Sequence, residues 1–288
     1  MPELPEVQTV ANDLNHKLKG QTILSVKINS PKQVSPESKI FLRLVQGKKI
    51  LSVTRRAKVV VFHLDKNLVI IGHMKMTGQF IFKSKAGRLA GGGHPFGVKG
   101  LGLPNKYTQA QFEFRSGDSL YFNDTRKFGY IRVYTLVDWN RMHDEDWGVD
   151  PFSASFTSAI LRVWAKRRPK ITIKQLIMDQ SLLAGVGNIY ADESLFKARI
   201  NPRRRARTIT LTEARSLVSA IKAILKLAVV KRGTTVNDYV DGHGQAGTYS
   251  RYLKVYGRAS KPCVRCRKFL LRTVVGGRGT VYCGNCQR

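Results

Sequence analysis

The sequence predicts an α+β, multidomain chain: an N-terminal β-sandwich carrying an N-terminal helix, then a helical domain, then a small C-terminal β-hairpin module. Three observations lead there. One helix-period stretch opens the chain and strand-like runs follow it. Helix-period sequence takes over beyond about residue 150, and all four cysteines are gathered between Cys263 and Cys286. A length of 288 residues suits two domains and a minor third. The boundaries read from composition are 1–137 for the sandwich, 138–151 for a linker, 152–238 for the helical domain and 239–288 for the glycine-rich, cysteine-bearing end.

Each element has its own reason. Leu4, Val7, Val10, Leu14 and Leu18 recur every three or four positions, which predicts an amphipathic helix and sets Glu3 and Glu6 one turn apart at its start. Strand-like runs cover 21–29, 49–64, 68–74, 79–83, 111–122 and 130–136, with a hairpin turn at Ser116-Gly117-Asp118. Seven glycines between 84 and 106, with Lys85, Arg88, Lys99 and Lys106 and no acid, predict a flexible basic loop. Asp144, Glu145, Asp146 and Asp150 around Gly148 mark the linker. Beyond it, 173–179 reads as a helix. Leu217, Val218, Ile221, Ile224, Leu225 and Ala228 form a helical stripe that a Thr210-x-x-Glu213 capping box opens.

The charge balance narrows the partner. Fifty Lys and Arg against 19 Asp and Glu give a formal charge of +31 and a pI near 10.4. A hydrophobic content of 42% excludes a disordered basic tail. Ribosome association, an anionic membrane surface and general solubility are alternatives. The excess is spread through folded sequence, which favours nucleic acid, because phosphate contacts release condensed counterions. The N-terminus lacks a secretory pattern, and the most apolar stretch, 68–76, is too short for a bilayer and holds His73 and Lys75. The expectation is a cytoplasmic protein without a membrane partner.

The opening Met1-Pro2-Glu3-Leu4-Pro5-Glu6-Val7 admits two readings. Proline and glutamate suit a first helical turn. Alternatively, loss of Met1 leaves Pro2 as a secondary amine whose pKa, near the 7.7–8.0 usual for α-amino groups, allows attack on an electrophilic carbon with a carboxylate beside it. The cysteines fall as Cys263-x2-Cys266 and Cys283-x2-Cys286, the spacing of two knuckles on one zinc ion. Disulfides are the alternative, and they are rare in a cytosolic chain. Four thiolates leave no open position, so the zinc is structural. Arg278, among Gly276, Gly277 and Gly279, is either a solvated turn residue or a charge offered to DNA. In Leu183-Ala184-Gly185-Val186-Gly187-Asn188-Ile189-Tyr190-Ala191-Asp192-Glu193, a glycine turn precedes a helix. Backbone N–H groups and the Asn188 amide there suit a phosphate, as in a helix-turn-helix variant, with Arg199, Arg203, Arg204 and Arg205 following. A plain helix-packing turn is the other reading.

The PELPEV opening, the LAGVGNIYADE segment and the terminal four-cysteine hairpin ending Cys-Gly-Asn-Cys-Gln together resemble bacterial formamidopyrimidine-DNA glycosylases along essentially the whole chain. The resemblance implies a β-sandwich, a helix-two-turn-helix domain and a zinc finger with one structural Zn2+. It implies a monomeric base-excision-repair enzyme, associated with the nucleoid when bound, that acts on damaged double-stranded DNA. Such an enzyme removes 8-oxoguanine and formamidopyrimidines, then cleaves at the abasic site by β,δ-elimination. It further implies that Pro2 is the nucleophile, that Glu3 is the general acid/base and that Glu6 is a supporting residue. Lys58 and Arg278 are implied as catalytic residues, Lys58 on the damaged nucleotide and its phosphate and Arg278 on the phosphate beside the lesion, and Met76 is implied in the hole left by the flipped base. Arg126 is implied opposite the orphaned base and Phe128 as an intercalating ring, with His73, Lys127 and Asn188 also on DNA. The segments 233–235, 241–242 and 247–249 resemble a lesion-capping loop. Lys75 stands where a glycine is usual, Lys127 where arginine is frequent, and the 84–106 loop is longer than in typical members. The rival readings are the sister endonuclease VIII-like enzymes, which prefer oxidised pyrimidines, and a non-catalytic zinc protein on the same scaffold. Leu4 and Gly233-Thr234-Thr235 favour the purine enzyme, and Pro2, Glu3 and Lys58 argue for catalysis.

Overall fold

The computed structural model describes residues 1–93, 102–234, 240–241 and 247–288, with the backbone alone at 143–146 and 240–241. The chain forms two compact units: Met1–Glu145 with Lys231–Thr248, and Asp146–Val230 with Tyr249–Arg288.

In the first unit, helix α1 (Leu4–Leu18) buries Leu4, Val7, Val10, Leu14 and Leu18 completely, as its period predicts. The strands are β1 (Ile23–Ile28), β2 (Val34–Ser35), β3 (Ile50–Arg56), β4 (Val59–Leu64), β5 (Leu68–His73), β6 (Gly78–Lys83), β7 (Leu89–Gly93), β8 (Thr108–Phe114), β9 (Ser119–Asp124), β10 (Tyr130–Thr135) and β11 (Val240–Asp241). They form a six-stranded sheet ordered β1-β8-β9-β6-β7-β11 and a five-stranded sheet ordered β2-β10-β5-β4-β3. All neighbours are antiparallel except β2 and β10. Between the sheets lies one apolar core that includes Phe62, Ile70, Phe80, Phe112 and Phe122 together with the α1 stripe.

The details depart from the sequence reading where backbone geometry intervenes. The run 49–64 is two strands, because Ala57 takes φ +49° and turns the chain back on itself. Part of the expected 84–106 loop is strand β7. Gly91, at φ +104°, lies against the Phe80 carbonyl, where a Cβ would sit 2.0 Å from the oxygen. Its glycine therefore permits close strand contact, not freedom. Residues 94–101 of that loop lie outside the described residues. Two helices are not legible in the patterns used: α2 (Ser38–Val45), and α3 (Leu136–Asp146), which occupies much of the expected 138–151 linker.

The second unit contains α4 (Ser158–Arg167), α5 (Ile173–Met178), α6 (Asn188–Lys197) and α7 (Leu211–Val230), then the hairpin β12 (Leu271–Val275) and β13 (Arg278–Tyr282). Side chains set the helix starts. Thr157 caps α4, Thr172 and Gln175 form a capping box on α5, and Thr210 and Glu213 do so for α7, with Thr210 N–H on Glu213 at 2.9 Å. The α+β architecture of sandwich, helical domain and terminal hairpin is the one the sequence predicts. Among the described residues, no helix is long and apolar enough to cross a membrane.

The approach of the two sheets depends on Gly72, where a Cβ would fall 2.1 Å from Phe80 Cζ. Gly72→Ala is expected to overpack this contact and to cost about 1–3 kcal/mol of stability, read as a lower urea midpoint at unchanged m-value.

Candidate active site

The N-terminal residues are held by a carboxylate. Glu3 caps α1, and Pro5, not Pro2, occupies the first helical turn. Pro2 lies one residue ahead of the cap, half-buried and outside the helix. Glu6, 1% exposed, accepts the Glu3 N–H at 2.8 Å with one oxygen and the Thr234 N–H at 2.7 Å with the other. A buried carboxylate needs such donors to replace its lost water. Gly233, at φ +81°, lets the chain approach, since a Cβ there would stand 2.8 Å from Glu6 Oε1. Of the segments read as a capping loop, 233–234 and 247–249 are described, while 235 and 242 lie outside the described residues.

Lys58 sits at the β3–β4 turn and is buried. His73 ends β5, its Nδ1 accepting the Lys75 N–H at 2.9 Å. Burial, reinforced by the charges of Lys75 and Lys58, drives its pKa down to about 3. His73 is therefore a neutral hydrogen-bonding imidazole at neutral pH, not a cation for phosphate.

Two loops in this unit present apolar side chains to solvent. Met76 is 44% exposed and Phe128 56% exposed, and the Arg126 guanidinium lies 4.7 Å from the Phe128 ring centroid. One acid joins the loops. Asp124, 1% exposed, accepts from the Thr77 hydroxyl and from the N–H groups of Arg126 at 3.1 Å and Gly129 at 2.6 Å. Lys127 is exposed in the same loop, and its carbonyl accepts from Gln33 at 2.7 Å.

In the second unit, the glycine turn before α6 is laced by Gln180, which accepts from Gly185 N–H at 2.9 Å and donates to the Val186 carbonyl at 2.7 Å. The Asn188 amide donates to the Gly279 carbonyl of β13 at 2.9 Å, so it anchors the hairpin as well as standing at the turn. Of the arginine group, Arg204 pairs with Glu213 and Arg205 bonds the Lys170 carbonyl, so these two brace the fold. Arg278 is exposed at the start of β13. Beside it, fully buried Lys174 and Asp192 pair at 2.6 Å, and they also bond the Thr280 hydroxyl and the Val281 N–H, at 2.7 and 3.0 Å.

Cys263, Cys266, Cys283 and Cys286 bring four sulfurs within 4.8 Å of one another, with Cys263–Cys286 at 4.0 Å and Cys266–Cys283 at 3.5 Å. Those separations are near the roughly 3.8 Å edge of a tetrahedron with Zn–S bonds of about 2.3 Å. The donor set fits one structural zinc ion, and all four positions of the ion would be filled.

Comparison with known proteins agrees with this arrangement. The formamidopyrimidine-DNA glycosylase N-terminal domain matches residues 1–131, the H2TH domain of the same enzymes 147–240, and the zinc finger found in FPG and IleRS 260–288. The formamidopyrimidine-DNA glycosylase of Pelotomaculum thermopropionicum is 39% identical, over 100% of this chain and 99% of its own. The chain belongs to the formamidopyrimidine-DNA glycosylase family. The Bacillus cereus enzyme of that name is 36% identical over the same shares. Among solved structures, Lactococcus lactis Fpg bound to DNA with an abasic site superposes with a TM-score of 0.86, at 26% identity and 99% coverage of both chains. A variant of that protein bound to DNA with Fapy-dG gives 0.87 at 27% identity, covering 100% of each.

For this member of the formamidopyrimidine-DNA glycosylase family, the sequence reading missed Asp124, Thr77, Gln180 and the Lys174–Asp192 pair. Asp124 carried a signal, as a lone acid in the basic segment Asp124-Thr125-Arg126-Lys127. Asp192 stands in the 183–193 segment already singled out, while Thr77, Gln180 and Lys174 carried no signal.

Histidine 73 supplies a test. Unfolded, it takes up a proton near pH 6.5, whereas the folded imidazole resists until about 3. The native state thus binds fewer protons between these values, and stability falls as pH drops through that window. Between pH 7 and 5.5 the wild type is expected to lose roughly 1 kcal/mol more unfolding free energy than His73→Gln, measured by urea titration at each pH.

Proposed function

We propose that the chain excises oxidised purines from duplex DNA with Pro2 as nucleophile and then opens the strand by β,δ-elimination. Family membership makes the chain a DNA glycosylase of base excision repair. The observation that carries the nucleophile assignment is that Pro2 lies ahead of the helix cap while Glu6 fixes Glu3 beside it.

Removal of Met1 frees the Pro2 nitrogen. Its lone pair attacks C1′, the glycosidic bond breaks, and the electron pair leaves with the base, which takes up a proton. Glu3 protonates the sugar ring oxygen as the ring opens, leaving an iminium between proline and C1′. The iminium acidifies C2′–H. Loss of that proton expels the 3′ phosphate, and a second elimination expels the 5′ phosphate.

Lys58 and Arg278 are assigned to phosphates at the lesion. Met76 fills the space of the extruded base, Arg126 faces the base left behind, and Phe128 stacks, because an unpaired, unstacked site needs an apolar and planar wedge. The solvent exposure of Met76 and Phe128 supports this reading. His73, Lys127 and Asn188 are assigned to the DNA backbone. The zinc ion holds the terminal hairpin in shape. The enzyme works as a monomer in the cytoplasm, on the nucleoid. The Lactococcus lactis complexes with abasic and Fapy-dG DNA support the choice of substrate.

Borohydride reduction during incubation with a duplex containing 8-oxoguanine is expected to trap a covalent adduct, and a duplex containing thymine glycol to give less. A protein with an added N-terminal residue, whose Pro2 nitrogen is an amide, is expected to give no adduct. An equal yield from that protein would overturn the assignment. Glu3→Gln is expected to slow base release by about 10²- to 10⁴-fold in single-turnover assays.

A further inference from the structure

We propose that Lys75 and Arg132 form an anion site over the Tyr130 ring that takes one DNA phosphodiester beside Met76. The proposal rests on the reading that the chain grips duplex DNA.

Tyr130 opens β10 and pairs in register with His73 of β5, and Arg132 follows two residues on along the same strand face. The Lys75 ammonium lies 5.7 Å from the Tyr130 ring centroid and the Arg132 guanidinium 4.4 Å from it. Two cations thus share one ring. Among the described residues, neither has an ion pair with a carboxylate. Burial raises the Tyr130 pKa, so its phenol offers no counter-charge at neutral pH. Burial first, then Lys75 and Lys58, keeps neighbouring His73 uncharged, so it adds no charge beside the Lys75–Arg132 pair. Like charges that share a ring without a paired acid repel, and a bound anion lowers that cost.

The backbone points the same way. Lys75 takes φ +49°, a left-handed conformation disfavoured for lysine and open to glycine. Its N–H is bound to His73 Nδ1, which fixes the side chain's origin immediately before exposed Met76. A strained residue bearing an unpaired charge beside a solvent-facing apolar side chain is the arrangement of a ligand contact. Cations over an aromatic face also present a flat, oriented surface, which suits the linear backbone of a nucleic acid.

Two variants separate the charge from the strain. Binding of a fluorescein-labelled duplex with a tetrahydrofuran abasic analogue is read by anisotropy across a KCl series. Lys75→Gly and Lys75→Met are each expected to lower the magnitude of the slope of log K against log salt by about 0.9, the share of one phosphate contact. The two differ in denaturation: the urea midpoint rises for Lys75→Gly, where the strain is relieved, and does not rise for Lys75→Met. Arg132→Met repeats the loss of slope. A slope unchanged in the Lys75 variants overturns the site. Borohydride trapping of the wild type distinguishes this failure from failure of the proline assignment. An intact trap with unchanged slopes counts against Lys75 alone, and no trap with reduced slopes counts against Pro2 alone.

Discussion

A carboxylate removed from water survives only where N–H groups or a cation replace the lost hydration, and this constraint holds each candidate loop in place. Glu6 accepts two backbone N–H groups and ties the N-terminus to Thr234. Asp124 takes the Thr77 hydroxyl and two N–H groups, fixing the loops that carry Met76, Arg126 and Phe128. Glu193 accepts from Lys254, Val255 and Tyr256, its pKa raised by burial against the pull of those bonds. Asp192 meets Lys174 and the Val281 N–H. Each acid acts as a staple between segments distant in sequence.

The same placement shapes the outer surface. With only 19 acids against 50 cations, acids turned inward are not available to neutralise arginines and lysines outside. Some cations are absorbed by structure, as Arg204 is by Glu213. Others, Lys75 and Arg132 among them, lie over an aromatic ring. A surface of this kind attracts a polyanion over a distance and then relies on shape to choose among polyanions. Met76 and Phe128 are exposed apolar side chains in the sandwich unit.

Much of this is legible in the sequence. The α1 stripe, the hairpin at 116–118, the capping box at Thr210 and the cysteine knuckles all follow from patterns within a few residues, and each recurs in the structure. Gly91 and Gly93 are not legible as packing residues, because a glycine needed for space and one needed for freedom look alike in a sequence. Gly91 is glycine because the Phe80 carbonyl is next to it. The acidic run near 144 read as a linker falls at the end of α3 (Leu136–Asp146), whose buried Trp139 stands ahead of those acids.

The sequence by itself determined the class of architecture, the sign of the partner's charge, the metal-binding module and the residue types able to carry chemistry. All of these depend on composition and short spacing. Only the tertiary structure decided that Pro5 belongs to the helix while Pro2 stands outside it, that Asn188 is bonded to Gly279, that His73 stays neutral, and that Lys75 shares a ring with Arg132. Each of those depends on which distant groups are brought together and how much water is left between them. Residue order does not display this until the chain has folded.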